Sequence, residues 1–273
     1  MNRDSRVQRS EAGGCEYPRE RTGSVIELTP KEQAAREMVC LPLDNLTSLD
    51  EVHALIEELS PLVGRFKVGK ESFTRFGPEV VRLVRDLGAG VFLDLKYHDI
   101  PNTVRGAARA ATEMGVAMFN VHASGGSAMM AAALDGVKEA ASSTEKFPAV
   151  IAVTVLTSID QGTLNEEIGV PGGVEDQVLR LAKLTESVGL DGIVCSAADL
   201  SALKGRLHPG FLFVTPGIKG TKTPAGADQV RVLSPGRAVA AGSSLLVVGR
   251  AITGATDRRE AAREVLQDIA AVL

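Results

Sequence analysis

The chain has 273 residues, 44% apolar and 23% charged, enough to bury a sizeable core in one large domain or two small ones. Its formal net charge of −4 argues against a general binder of nucleic acid or of a membrane surface, whose affinity comes from a basic excess. Cys15, Cys40 and Cys195 stand far apart without C-x-x-C spacing, which points to reduced thiols rather than a disulfide framework or a zinc site.

Residues 1–36 are polar, mixed in charge and without periodicity, so they read as a flexible N-terminal extension ahead of a domain spanning 37–273. The stretch lacks the apolar run of a secretory signal, and Asp4, Glu11, Glu16 and Glu20 weaken a transit-peptide reading. No segment approaches the ~18 uncharged apolar residues of a membrane span. A soluble, cytoplasmic protein is expected.

From Glu37 onward, short apolar runs alternate with segments of helical periodicity. MVCLPLD (38–44) precedes a helix capped by Ser48, with Val52, Leu55, Ile56 and Leu59 on one face. RFKVGKE (65–71) precedes EVVRLVRDL, opened by Pro78 and ended by Gly88. GVFLDLKY (90–97) leads to VRGAARAATEM, AMFNVHA (117–123) to AMMAAALDGVKEAA, and PAVIAVTVLT (148–157) to VEDQVLRLAKLTESV. DGIVCS (191–196), FLFVTPGI (211–218) and SLLVVGR (244–250) are followed by ADLSALKGRL, SPGRAVAAG and DRREAAREVLQDIAAVL.

Strict strand–helix alternation implies parallel strands buried on both faces. Eight such units within residues 37–273 suit a single-domain (β/α)8 TIM barrel, for which ~250 residues is typical. A doubly wound open sheet is the alternative, but LPLDNLTS after the first run lacks the G-x-G-x-x-G glycines common there. Pro42 is unusual within a strand, because it lacks a ladder donor.

Barrel active sites sit at the carboxyl ends of the strands, and unusual polar residues collect there. Asp44 ends the first run, Lys67 lies late in the second, Asp94 and Lys96 late in the third. His122 and Ser124 close the fourth, Thr157 and Ser158 the fifth, and Gly249-Arg250 the eighth. Alternation places Phe92, Asp94 and Lys96 on one face and Leu93 and Leu95 on the other, so the charged pair points into the barrel mouth. Asp99 lies beyond the strand, in a loop stiffened by Pro101. The bland reading of Asp94 and Lys96 is an ion pair plugging the barrel. Its position at the reactive rim, with Lys67 on the neighbouring strand, favours a functional array. Tyr97, His98, His53 and His208 read as packing or loop residues.

A phosphate site is indicated separately. Barrels often bind phosphate with the loops after strands seven and eight. The seventh run leads into TPGIKGTKTPAGADQ, rich in glycine and carrying Lys219 and Lys222. The eighth ends in Gly249, which permits close backbone approach, and Arg250, which supplies a fork of donors. The bland reading is a glycine-rich surface loop with an exposed arginine.

These residues resemble the orotidine 5′-phosphate decarboxylase family. Asp94-Leu-Lys96-Tyr-His-Asp99-Ile-Pro-Asn-Thr103 carries its D-x-K-x-x-D-I-P-N-T pattern, and VTVLTS, TPGI, DQ-R and VGR follow in the family's order. The resemblance runs from about Met38 to the C-terminus and implies decarboxylation of orotidine 5′-phosphate to UMP and CO2. It implies that Lys67, Asp94, Lys96 and Asp99 form the charged catalytic array, with Lys96 protonating the substrate carbon. It further implies a homodimer in which Asp99 reaches the neighbouring subunit's site and Thr103 supports the neighbour's ribose contact by Asp44. Thr157 would meet the pyrimidine, Gln229, Gly249 and Arg250 the phosphate, and neither metal nor organic cofactor is implied. One departure is Lys219, where the family commonly has arginine after P-G-I. Lysine keeps the charge but loses the bidentate fork. The closest alternative is a Mg2+-dependent sugar-phosphate decarboxylase or aldolase on a related barrel. A non-catalytic phosphate-binding barrel is a further one.

Overall fold

Short runs of valine, isoleucine and leucine can bury both faces only if helices cover one face and the other closes on itself. The computed structural model, which describes residues 27–140, 147–220 and 233–273, has that architecture. Eight strands, β1 (Val39–Pro42), β2 (Arg65–Gly69), β3 (Gly90–Tyr97), β4 (Met118–His122), β5 (Ala149–Val153), β6 (Gly192–Val194), β7 (Leu212–Pro216) and β8 (Leu245–Val247), form a closed barrel in chain order. Every neighbour pair is parallel, and β8 returns to β1 through Val39 opposite Leu246. This is the expected TIM barrel.

The surrounding helices are α1 (Pro30–Glu37), α2 (Leu49–Leu59), α3 (Lys70–Phe76), α4 (Glu79–Asp86), α5 (Pro101–Glu113) and α6 (Gly126–Ala140). They continue with α7 (Val174–Val188), α8 (Leu200–Leu203), α9 (Pro235–Ala241), α10 (Arg250–Thr253) and α11 (Arg258–Ala270). Ser48 caps α2 by accepting the Glu51 N–H, and the face expected of that helix is the one it buries. Among the described residues no helix is long and apolar enough to cross a membrane.

Three boundaries differ from the sequence reading. Thr29 and Glu32 close a reciprocal capping box on α1 and Ala35 is buried, so helical structure starts ahead of residue 37. Residues 1–26 of the expected extension lie outside the described residues. The second run stops at Gly69, and its last two residues open α3, a helix the apolar pattern did not announce. The fifth run pairs only as far as Val153, which leaves Thr157 in the following loop.

Pro42 is accommodated because it is the last residue of β1. Pairing with β8 covers only Val39 and Cys40, while Leu43 still donates its N–H to the Lys67 carbonyl. Phe92, Met118, Ile151 and Val214 pack inside the barrel, and a larger apolar layer lies between the strands and the helices. The barrel interior is therefore filled by apolar side chains, and Lys67, Asp94 and Lys96 stand above that layer, toward the carboxyl rim.

Candidate active site

Asp94 stands on β3 two residues beyond the interior Phe92, so strand alternation aims it into the barrel, where it is 9% exposed. A carboxylate buried to that degree requires partners. Its Oδ1 accepts from Lys96 Nζ at 2.5 Å and from Asn120 Nδ2 at 2.7 Å. Its Oδ2 lies 3.3 Å from Lys67 Nζ. Lys67, on β2, is also 9% exposed and reaches Asp44 Oδ1 at 3.3 Å. Two ammonium groups thus alternate with two carboxylates across three neighbouring strand ends, in the order Asp44, Lys67, Asp94, Lys96.

Local backbone makes room for this array. A Cβ on Gly69 would come 2.8 Å from Lys67 Nζ and 3.0 Å from Asp44 Oδ1, so a larger residue there would push this ion pair out of its present geometry. Ser72, in the first turn of α3, donates its hydroxyl to the Leu43 carbonyl and ties down the chain just before Asp44. Gly249 does the same service for β1: a Cβ there would press on Pro42 Cγ at 3.1 Å.

Strict alternation does not hold at Lys96. Leu93 faces Phe119 and Tyr97 faces Val121, so four residue steps on β3 span only two on β4. Lys96 takes φ +52°, a left-handed conformation that costs a non-glycine residue about 1–3 kcal/mol. Its N–H, lost to the ladder, donates to Asn120 Oδ1 at 2.8 Å. Asn120 is 0% exposed and was not singled out from sequence. The available signal was a lone carboxamide within the apolar run AMFNVHA.

Lys67, Asp94, Lys96 and Thr157 line one cavity of about 210 Å³, walled on its other side by Val153, Val194, Val214 and Pro216. A second cavity of about 230 Å³ shares Thr157 and Pro216 and continues to Ser196, Asp199 and Gly217. The two form a cleft across the ends of β5, β6 and β7. The first cavity thus sets charged groups against an apolar wall. Among the described residues, no group of three or more histidine, cysteine, aspartate or glutamate side chains converges as a metal cage.

The remaining expected residues divide into two groups. Lys219 follows β7 and Gly249-Arg250 follows β8, at the same rim but outside the lining of these cavities; Gln229 and Lys222 lie outside the described residues. Asp99 is exposed and accepts the Ile100 N–H at 2.6 Å, apart from the lysine array of its own chain. Thr103, in the first turn of α5, is exposed beside it.

The histidine at the rim is held neutral. Burial, and then the neighbouring His98, Lys70 and Lys96, push His122 down to about 4. Its ring lies 5.3 Å from that of His98. Burial pushes the Cys40 thiol and the Tyr97 hydroxyl each up to about 12, and raises Cys195 as well, so none of the three ionises near neutral pH. Tyr97 packs against Phe119 with ring centres 6.0 Å apart, the packing role expected of it.

Fold and site together define a TIM barrel that sets paired lysines and carboxylates beside an apolar pocket at its mouth, the architecture of a barrel enzyme. The family model for orotidine 5′-phosphate decarboxylase / HUMPS matches residues 37–265. Orotidine 5′-phosphate decarboxylase of Moorella thermoacetica is 46% identical over 86% of this chain and 93% of the relative. That of Halorhodospira halophila is 52% identical over 80% and 90%. The crystal structure of the Lactobacillus acidophilus enzyme of the same name superposes with a TM-score of 0.75 at 36% identity, covering 85% of this chain and 98% of the other. The chain belongs to the orotidine 5′-phosphate decarboxylase family.

Proposed function

We propose that this protein converts orotidine 5′-phosphate to uridine 5′-monophosphate and CO2, a step of pyrimidine synthesis, with Lys96 as the proton donor. The observation that carries the reading is the Lys67–Asp94–Lys96 array lining a cavity at the barrel mouth. Breaking the bond from C6 to the carboxylate leaves its electron pair on C6, in the ring plane, with no enolate-type sink. The ammonium of Lys96, held on Asp94, stabilises that charge and then gives C6 its proton. The fixed Asp94 also sets a negative charge near the substrate carboxylate, while the valines opposite offer the departing neutral CO2 an apolar wall.

Asp44 would hold the ribose, Thr157 the pyrimidine, and Lys219, Gln229, Gly249 and Arg250 the phosphate, with Lys67 kept in the catalytic array. Binding energy from that remote phosphate lowers the barrier only where it is realised in the transition state, for example by closing the site. Asp99 and Thr103 would complete the site of a second subunit in a homodimer, and their exposure beside the exposed Ile100 supports that reading. The buried free thiols of Cys40 and Cys195 support a reducing, cytoplasmic setting.

The test is the fall in ultraviolet absorbance when purified protein meets orotidine 5′-phosphate, with and without EDTA, beside a pentulose and a hexulose phosphate. Chelator-insensitive loss of the orotidine 5′-phosphate signal is expected. Metal-dependent turnover of a sugar phosphate alone would assign the barrel to the alternative chemistry.

A further inference from the structure

We propose that Asn120 is a positioning residue for proton transfer: its buried carboxamide sets where the Lys96 ammonium stands. This inference rests on the role given to Lys96 above.

Asn120 lies at the centre of β4, opposite Ile151 of β5, with its side chain on the inner face between Met118 and His122. Because it is 0% exposed, it reaches no substrate, and anything it does for the reaction passes through its neighbours. A carboxamide in that position is costly unless both ends are bonded, and both are. Nδ2 donates to Asp94 Oδ1 at 2.7 Å, and Oδ1 accepts the Lys96 N–H at 2.8 Å. The two partners fix its orientation. Turned over, its oxygen would face a carboxylate and its NH2 an N–H, losing both bonds.

The contacts form a closed loop. The Lys96 backbone is tied to Asn120, Asn120 to Asp94, and the same Asp94 oxygen to the Lys96 ammonium. One side chain therefore governs both ends of the lysine. It replaces the ladder partner that the register shift removes, and so holds Lys96 at φ +52°. It also stops the Asp94 carboxylate from rotating away from that lysine. An isoleucine or valine would fill the same volume without bonding either end, leaving the bulge free to relax toward regular pairing and the ammonium to move with it.

The experiment measures kcat and KM for orotidine 5′-phosphate in wild type, Asn120→Ala and Asn120→Asp, with UMP affinity taken alongside. A misplacement of about 1 Å lowers rates by about 100-fold, so a loss of that order in kcat is expected, with KM and UMP affinity within about threefold of wild type. Asn120→Asp keeps the volume should Asn120→Ala not fold, and it adds a second readout. Its introduced carboxyl, crowded against Asp94, donates only when protonated, so kcat relative to wild type rises as pH falls from about 8 to about 6. A merely structural role would give no such recovery. Unchanged kcat in both variants, or a loss confined to KM, would overturn the assignment. Wild-type protein with no turnover would sink the functional reading itself, and this inference with it.

Discussion

Lys67 and Asp94 face each other across adjacent strands, Nζ to Oδ2 at 3.3 Å, with side chains 11% and 12% exposed. Neither charge tolerates that burial alone, since an unpaired ion at such depth costs several kcal/mol. Each therefore fixes the other, and the pair extends to Asp44 on one side and Lys96 on the other. Mutual pairing of this kind holds charges in a set arrangement, the condition under which preorganised groups can act on a transition state without reorganising.

Asp99 is exposed and stands apart from its own chain's lysines. If it completes a neighbour's site, an Asp99→Ala subunit and a Lys96→Ala subunit form one intact site when paired. Mixing the two inactive proteins under conditions of proven subunit exchange is expected to restore about a quarter of wild-type activity, because half the dimers are mixed and each holds one good site of two. No recovery would count against a shared site.

The carboxyl half of α6 crosses α5 closely at Gly136, where a Cβ would come to lie against the Arg105 carbonyl. Gly136→Ala is therefore expected to force the two helices apart and to cost about 1–3 kcal/mol, despite alanine's better helix propensity. Urea denaturation measures this directly, and an unchanged or raised midpoint would show that the crossing yields freely.

His122 is ordinarily protonated near pH 6.5, but in the folded protein only near 4. The unfolded chain thus takes up a proton that the native state refuses, and stability falls as pH drops from about 6.5 toward 4, with no contribution above that window. His122→Asn is expected to flatten this part of the melting-temperature profile relative to wild type. Parallel profiles would mean that the imidazole titrates normally in the fold.

The eight strands and the inward aim of Asp94 and Lys96 were legible because parallel barrel strands are apolar on both faces except at the rim. GVFLDLKY was bounded correctly at both ends, whereas PAVIAVTVLT overran its strand by four residues, because apolar character continues into the loop that walls the cavity. Helix α3 was missed because KESFTRF fully buries only Ser72 and its apolar face is just the half-buried Phe73 and Phe76, too short a pattern to announce a helix. The bulge at Lys96 was hidden for a related reason: nothing in FLDLKY marks a left-handed residue, and the side chain that holds it comes from the next strand. Asn120 therefore became visible only in three dimensions. The stretch around Gln229, expected from the sequence to bind phosphate, lies outside the described residues.

In the proposed reaction Lys96 delivers the proton to C6 while other residues hold the nucleotide. Turnover of orotidine 5′-phosphate by Lys96→Ala, measured together with UMP affinity on the same preparation, tests it most directly. Decarboxylation is expected to fall by about 10⁴-fold, the upper range for a single positioned acid, with UMP binding still measurable. Near-normal turnover in that variant would contradict it.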